Sequence, residues 1–170
     1  MLINGASGGV GTHAVQMAKS FGAEVTGVCR SKNLDLVFSI GADHVVDYIQ
    51  ADFTELAHQY NLIFYVVRKR SFSDCKQALK PDGIYITTEV SPSLMLQQKW
   101  VAMTGSQKLE YLPLMRPDKQ YRLDLKQMLE TRIVTPVIDR CYKLSEVSQA
   151  LAYLGEGHAR GKVIINLEQD

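Results

Sequence analysis

A glycine-rich segment near the N-terminus has the composition and spacing of a phosphate-binding loop. Residues 5–11 read Gly-Ala-Ser-Gly-Gly-Val-Gly, in which Ala6, Gly8 and Gly11 match a variant of the G-x-G-x-x-G fingerprint. Gly8 lets the backbone approach a pyrophosphate without a Cβ clash, and Gly11 lets the next helix pack close to a sheet. A helix N-terminus adds free N–H groups and the positive end of a dipole. The segment therefore predicts phosphate binding, with a purely structural turn or an S-adenosylmethionine site as the alternatives.

The residues after the second predicted strand indicate which dinucleotide such a loop would bind. Sites for NAD usually place an Asp or Glu about 20 residues beyond the glycine loop, where it accepts hydrogen bonds from the ribose 2'-OH. This chain has Arg30, Ser31 and Lys32 there, which are two cations and a hydroxyl with no carboxylate. Charge-assisted contacts to a phosphate are strong, so the segment favours the 2'-phosphate of NADPH over NADH. Ordinary solvated surface side chains are the alternative for Arg30 and Lys32.

Tyr48 follows the third predicted strand. Ligands of α/β folds collect at the carboxyl ends of the strands, so this side chain could flank the adenosine phosphate. A packed ring with its hydroxyl in water is an equally good interpretation.

Short β-branched runs alternate with helical stretches along the chain, which predicts a parallel sheet covered on both faces. The fold class expected is α/β, a Rossmann-type doubly wound and mostly parallel six-stranded sheet with helices on both faces. Pro81-Asp82-Gly83 is typical of a tight turn, and Ser145 is expected to cap a helix. The predicted strands are 2–4, 24–29, 44–48, 62–67, 84–88, 100–104, 137–142 and 162–167, and the predicted helices are 10–21, 34–40, 52–59, 71–79, 119–130 and 145–154.

Length and composition limit the possible functions. The 170 residues, 46% hydrophobic and 22% charged, suit one compact soluble domain. The net charge of +1 provides no overall field for nucleic acid or an anionic membrane. The longest apolar runs are strand-sized, far short of the roughly 20 residues of a membrane helix. Without a recognisable signal peptide, the expected location is cytoplasmic.

The cysteines and histidines do not suggest a metal or disulfide framework. Cys29, Cys75 and Cys141 are odd in number and widely spaced, with no C-x-x-C pair. They are expected to be reduced thiols that act as small apolar residues. No histidine stands at metal-ligand spacing from another ligand, and neither a G-x-S-x-G nor a P-loop motif is present.

Taken together, these residues resemble the zinc-independent quinone-oxidoreductase-like branch of the medium-chain dehydrogenase/reductase superfamily. The resemblance covers nearly the whole chain. Its strongest parts are residues 2–11, 36–48, 78–83, 134–139 and 157–162.

The resemblance implies a two-domain enzyme in which a Rossmann domain presents NADPH to a quinone, an enal or a similar acceptor without a metal. Residues 1–170 would be that domain, and the GroES-like N-terminal substrate domain is expected to be absent, so the isolated chain would be inactive. The implied cofactor contacts are Ser7, Gly8, Gly9 and Val10 at the pyrophosphate, Ser31, Lys32 and Tyr48 at the 2'-phosphate, and Val67 at the nicotinamide. Arg160 and Lys162 lie near the family's C-terminal cofactor contacts, with a basic turn as their alternative.

Two departures from the family pattern bear on binding. Arg68 replaces a glycine after the fourth strand and would crowd the nicotinamide, and Glu89 brings a carboxylate to a turn that usually contains glycine. The resemblance also implies a homodimer through a sheet edge, for which 100–104 is the predicted edge strand. A non-catalytic nucleotide-binding or dimerisation module is the alternative to an oxidoreductase domain.

Overall fold

A computed structural model describes residues 1–55, 57, 59–67, 70–112 and 118–167. Six parallel strands form one sheet in the order β3-β2-β1-β4-β5-β6. This order confirms the predicted Rossmann-type fold. The strands are β1 (Leu2–Asn4), β2 (Thr26–Cys29), β3 (His44–Asp47), β4 (Tyr60–Tyr65), β5 (Leu79–Thr87) and β6 (Lys108–Tyr111).

Two further strands, predicted as 137–142 and 162–167, pair with each other in a separate parallel sheet. They are β7 (Ile138–Lys143) and β8 (Lys162–Asn166). The helices are α1 (Gly11–Ser20), α2 (Leu34–Ser39), α3 (Phe72–Cys75), α4 (Pro92–Thr104), α5 (Lys119–Glu130) and α6 (Val147–Gly155), with 3-10 turns at 31–33, 53–55, 76–78 and 144–146.

The hydrophobic core lies on both faces of the six-stranded sheet. Successive side chains of a strand point to opposite faces, so Leu2 belongs to one buried cluster and Ile3 to the other. The Ile3 cluster includes Val15 of α1 and Val37 of α2, whereas the Leu2 cluster includes Phe72 of α3. All of β1 is buried, as expected for a central parallel strand covered by helices on each side.

The strand order places a crevice at the carboxyl ends of the strands. The chain runs outwards from β1 to β3 on one side, then returns to β4 on the other side of β1. Doubly wound sheets bind ligands at this switch point. The glycine loop follows β1 directly and therefore lies in the crevice.

The turn predicted at Pro81-Asp82-Gly83 lies inside a strand. β5 begins at Leu79, five residues before the predicted start, and its pairing steps from Tyr60↔Leu79 to Leu62↔Ile84. Residues 80–83 of β5 therefore stand opposite the single residue Asn61 of β4, so the turn-forming residues produce a bulge rather than a strand boundary.

Three predicted local structures are wrong. Residues 100–104 are the end of helix α4, not a strand, because Ser91 accepts a hydrogen bond from the Leu94 N–H and Pro92 occupies the first turn. In the predicted helix 52–59 the described residues form only a 3-10 turn, where Asp52 accepts hydrogen bonds from Thr54. Ser145 does not cap α6, since it lies within the 3-10 turn that precedes the helix.

Candidate nucleotide-binding site

The glycine loop is held in shape by backbone hydrogen bonds, within the loop and to β2. Gly5 takes a φ of +84° at the end of β1, a conformation that favours glycine. The N–H groups of Gly5 and Ala6 both donate to the carbonyl of Val28 at 3.1 Å, and the Gly8 N–H donates to the Gly5 carbonyl at 3.0 Å. Helix α1 then begins without a side-chain cap at its N-terminus. The loop thus presents an uncapped helix end of the kind that binds anions.

The glycines of the loop have different structural roles. A Cβ at Gly11 would lie 2.0 Å from the Gly5 carbonyl oxygen and 2.7 Å from the Ala6 Cα, so this glycine is required by the packing of α1. A Cβ at Gly8 would meet only the Gly5 oxygen, at 3.4 Å. Gly8 lines a cavity, so a side chain there would project into that cavity and not against other atoms of the protein. The loop therefore fits a pyrophosphate that approaches Gly8.

That cavity has a volume of about 630 Å³, within the range of small-molecule and cofactor sites. It extends over the carboxyl ends of β1, β2 and β4, where Asn4, Cys29 and Tyr65 line it. Its opposite wall comes from the C-terminal part of the chain, through residues 156–159. The site is therefore a crevice between the six-stranded sheet and the loop that precedes β8.

Six of the residues implicated by sequence line this cavity: Ser7, Gly8, Arg30, Lys32, Tyr48 and Val67.

The other five lie close to the cavity without lining it. Gly9 packs against the loop before β8, because a Cβ there would lie 3.1 Å from the Gly161 carbonyl oxygen and 3.6 Å from the Lys162 Nζ. Val10 is the residue before α1. Arg160 follows the cavity-lining Ala159, and Ser31 belongs to the 3-10 turn between Arg30 and α2.

A carboxylate does approach the end of β2, but it comes from the neighbouring strand. Asp47 ends β3 and pairs in register with Cys29. The Ser31 hydroxyl and the backbone N–H of Ile49 hold the pKa of the Asp47 carboxyl below its usual value, and the Ile49 N–H donates at 3.0 Å. Its Oδ2 is buried and without a hydrogen-bond partner among the described residues. The sequence motif missed this group because only the register of two strands brings it there.

Asn33 is a second polar residue that the motif did not reveal. It is buried, lines the cavity and donates from its Nδ2 to the Ser7 Oγ at 3.0 Å. This bond joins the glycine loop to the 3-10 turn that contains Ser31 and Lys32. The two segments expected to bind the two phosphate groups are thus connected directly.

An ion pair joins two loops along the cavity. Arg70 and Asp52 both line it and pair with each other. Burial raises the pKa of Asp52, but hydrogen bonds from Thr54 and the charge and hydrogen bond of Arg70 outweigh it, and the net shift is downwards. The carboxylate is therefore ionised at neutral pH, and Arg70 is already neutralised by it. Arg70 thus adds little net positive charge to the cavity, unlike Arg30 and Lys32.

The structure also locates the remaining residues considered from sequence. Burial raises the pKa of the Cys29 thiol to about 11, so it stays protonated and unreactive at neutral pH. Glu89 is not among the residues that line the cavity, whereas Arg68 lies outside the described residues.

Within the described ranges, no group of three or more His, Cys, Asp or Glu could hold a metal. Among the helices of these ranges, none combines the length and the hydropathy that a membrane span requires.

Comparison with known proteins gives consistent results. A family model for zinc-binding dehydrogenases matches residues 40–165. The chain is 32% identical to a chloroplastic quinone oxidoreductase of Triphysaria versicolor, covering 97% of this chain and 51% of that protein. It is also 32% identical to a mitochondrial NAD(P)H oxidoreductase of Mus musculus, covering 98% and 47%.

A solved structure shows the same fold. The quinone oxidoreductase of Coxiella burnetii superposes with a TM-score of 0.85 at 22% identity, over 98% of this chain and 52% of that one. The chain spans about half the length of the curated relatives it matches.

Proposed function

Because the chain belongs to the zinc-binding dehydrogenase family, in the quinone-oxidoreductase-like part of the medium-chain dehydrogenase/reductase superfamily, we propose that it is the NADPH-binding domain of a zinc-independent oxidoreductase. The proposal rests on the composition of the cavity. One wall is the glycine loop, with Gly8 open to an approaching pyrophosphate, and another carries Arg30 and Lys32. A dinucleotide with an additional phosphate has charges that complement both walls.

The choice of NADPH over NADH depends on a local balance of charge. Arg30 and Lys32 supply two positive charges. Asp47, which accepts a hydrogen bond from Ser31, supplies one negative charge. Asp47 is buried, whereas Lys32 is exposed and both cations line the cavity. A 2'-phosphate would therefore contact the cations and not the carboxylate. Ser31 faces Asp47, so we propose that it positions the turn and leaves the phosphate contacts to Arg30, Lys32 and Tyr48.

The nicotinamide supplies the hydride in this family when the cofactor is bound. This chain would bind and orient the cofactor. Val67 lines the cavity beyond β4 and packs against Gly5, since a Cβ on that glycine would lie 2.4 Å from the Val67 Cγ2. Val67 would thus fix the floor beneath the nicotinamide half, next to the glycine loop.

Acceptor binding is proposed for a separate substrate-binding domain in a full-length protein. Relatives about twice as long as this chain include one named as a quinone oxidoreductase, so a quinone or similar electrophile is the proposed acceptor. β7, α6 and the 3-10 turn between them carry apolar side chains that are 45–62% exposed, namely Ile138, Leu144, Leu151 and Leu154. A substrate-binding domain packed against this part of the chain would bury them.

The 2'-phosphate contacts can be tested by removing both cations. An Arg30→Ala, Lys32→Ala double variant is expected to raise the Kd for NADPH about a hundredfold, because two charge-assisted contacts of roughly 1.5 kcal/mol each are lost. Its Kd for NADH should stay within about twofold of the wild-type value. Titration followed by nicotinamide fluorescence measures both. A Lys99→Ala, Lys119→Ala double variant removes the same charge outside the cavity and should bind as the wild type; equal losses for NADPH and NADH in the first variant would contradict the assignment.

We also propose a homodimer, which would form through a strand other than the predicted edge strand 100–104. With 100–104 helical, β6 is the edge strand on that side of the sheet, and an unpaired edge strand offers backbone groups for pairing with a second copy. Sedimentation analysis of the chain should give a dimer mass at micromolar concentration. A Tyr111→Pro variant would remove an N–H of β6 that faces away from β5, at a partly exposed residue, and is expected to sediment as a monomer. A monomeric wild type would contradict the proposal.

A further inference from the structure

The loop between α6 and β8 belongs to the small sheet, yet it reaches the nucleotide cavity. Residues 156–159 line that cavity, and Gly161 and Lys162 lie against Gly9 of the glycine loop. Backbone hydrogen bonding alone would leave the position of such a surface loop poorly determined. A side-chain contact that fixes this loop would therefore keep it against the glycine loop.

The register of the small sheet identifies the residue that makes this contact. Pairing between β7 and β8 steps from Ile138↔Lys162 to Arg140↔Val163. Asp139 is the extra residue at this β-bulge. Bulges redirect a side chain relative to the regular alternation of a strand, and here the redirected side chain is a carboxylate.

The Oδ2 atom of Asp139 joins β7 to α6 and to the loop before β8. It accepts a hydrogen bond from the Tyr153 hydroxyl of α6 at 2.5 Å and another from the backbone N–H of Arg160 at 2.9 Å. Burial raises the pKa of Asp139, but these two hydrogen bonds together with the charges of Arg140 and Arg160 outweigh it, and the net shift is downwards. The guanidinium of Arg140 stacks 3.9 Å from the centre of the Tyr153 ring, which fixes the ring that donates to the carboxylate.

The other end of the loop is fixed against the glycine loop. Gly161 has a φ of +106°, and a Cβ there would lie 2.3 Å from the Val137 carbonyl oxygen. The Lys162 N–H donates to that same carbonyl at 2.7 Å. In this position the Lys162 ammonium lies 3.6 Å from where a Cβ of Gly9 would be. The segment before β7 is held to α1 by two hydrogen bonds between Gln16 and Thr135, at 3.0 and 2.8 Å.

We propose that Asp139 is a positioning residue for the cofactor phosphates. Through Tyr153 and the Arg160 N–H it holds residues 156–162 against the glycine loop, so that the Lys162 ammonium stays beside the place a pyrophosphate would occupy. This inference rests on the proposed function. It assigns Asp139 no direct contact with the nucleotide.

A double-mutant cycle with NADPH as the ligand tests the inference. We expect Asp139→Ala to raise the Kd about fivefold and Lys162→Ala about tenfold, as for loss of one charge-assisted contact. If Asp139 acts through Lys162, the double variant should match Lys162→Ala alone at about tenfold, not the fiftyfold of independent effects. Asp139→Asn should stay within about twofold of wild type, because an amide oxygen in the Oδ2 position can accept from both the Tyr153 hydroxyl and the Arg160 N–H. Asp82→Ala, a change at an exposed aspartate in the bulge of β5, is the matched control.

Additive losses, or an Asp139→Asn variant as weak as Asp139→Ala, would overturn the inference. Amide hydrogen exchange separates it from the proposed function. In Asp139→Ala the Arg160 N–H should exchange at least about tenfold faster, because its acceptor is gone. A wild-type chain that binds no NADPH would contradict the proposed function, while unchanged exchange at Arg160 would overturn the role of Asp139 whether or not NADPH binds.

Discussion

A Gly8→Ala variant is expected to fold normally and to lose about thirtyfold in NADPH affinity, which corresponds to about 2 kcal/mol. The Cβ would meet only the Gly5 carbonyl oxygen, at the ordinary contact distance of 3.4 Å. Nothing in the protein has to move to admit it. The methyl group would instead lie in the cavity, where the backbone must approach a pyrophosphate closely.

Calorimetric titration with NADPH and thermal unfolding measure the two effects separately. Gly105→Ala is the matched control, because a Cβ there would make only ordinary contacts, the nearest at 3.6 Å, and the residue follows α4 and does not line the cavity. It should bind as the wild type. A Gly8→Ala variant that binds NADPH within about twofold of wild type would show that no phosphate approaches this glycine.

In contrast to Gly8→Ala, which is expected to fold normally, Gly11→Ala is expected to lose much of its stability. Alanine is favoured over glycine in a helix by about 1 kcal/mol, so propensity alone predicts stabilisation. The Cβ, however, would lie 2.0 Å from the Gly5 carbonyl oxygen, and both groups are backbone-anchored. Overpacking of this kind costs up to about 3 kcal/mol. Strain therefore outweighs propensity, and the melting temperature should fall by roughly 4–8 °C for the net 2 kcal/mol.

Differential scanning calorimetry of Gly11→Ala beside Gly155→Ala tests this account. The control glycine is also helical but has no neighbouring atoms, so its replacement should be neutral or stabilising. If the two variants melted at the same temperature, the close packing of α1 on the glycine loop would be refuted.

The features that the sequence predicted correctly are local ones. The glycine loop, helix α1 and the alternation of strands and helices depend on residue types within a few positions of one another. Helix α5 was predicted with its observed bounds because its apolar residues recur at helical spacing. Residues 100–104 were wrongly predicted as a strand because Trp and Val favour strands. The helix that includes them is started nine residues before Trp100 by the Ser91 cap.

The features that could not be predicted depend on long-range geometry. Asp47 reaches the cation pair only because β3 is aligned with β2 so that it lies opposite Cys29. Asn33 meets Ser7 across 26 residues of sequence. Asp139 points towards Arg160 because of a bulge that appears only once β7 and β8 are paired. Strand register and bulges depend on tertiary packing, which a single sequence does not display.

Asp47 changes the interpretation of the second-strand terminus. From sequence, this place had two cations and no acid, as NADPH sites do. In the structure an ionised, buried carboxylate lies behind it. Its charge would reduce the net attraction for the proposed 2'-phosphate, so discrimination between NADPH and NADH is expected to be clear but moderate.

The central claim, that this cavity recognises a dinucleotide by its 2'-phosphate, is tested most directly by calorimetric titration of the unaltered chain with NADPH and with NADH at equal ionic strength. We expect NADPH to bind at least about tenfold more tightly, a difference of about 1.4 kcal/mol. Equal affinities for the two cofactors, or tighter binding of NADH, would contradict it.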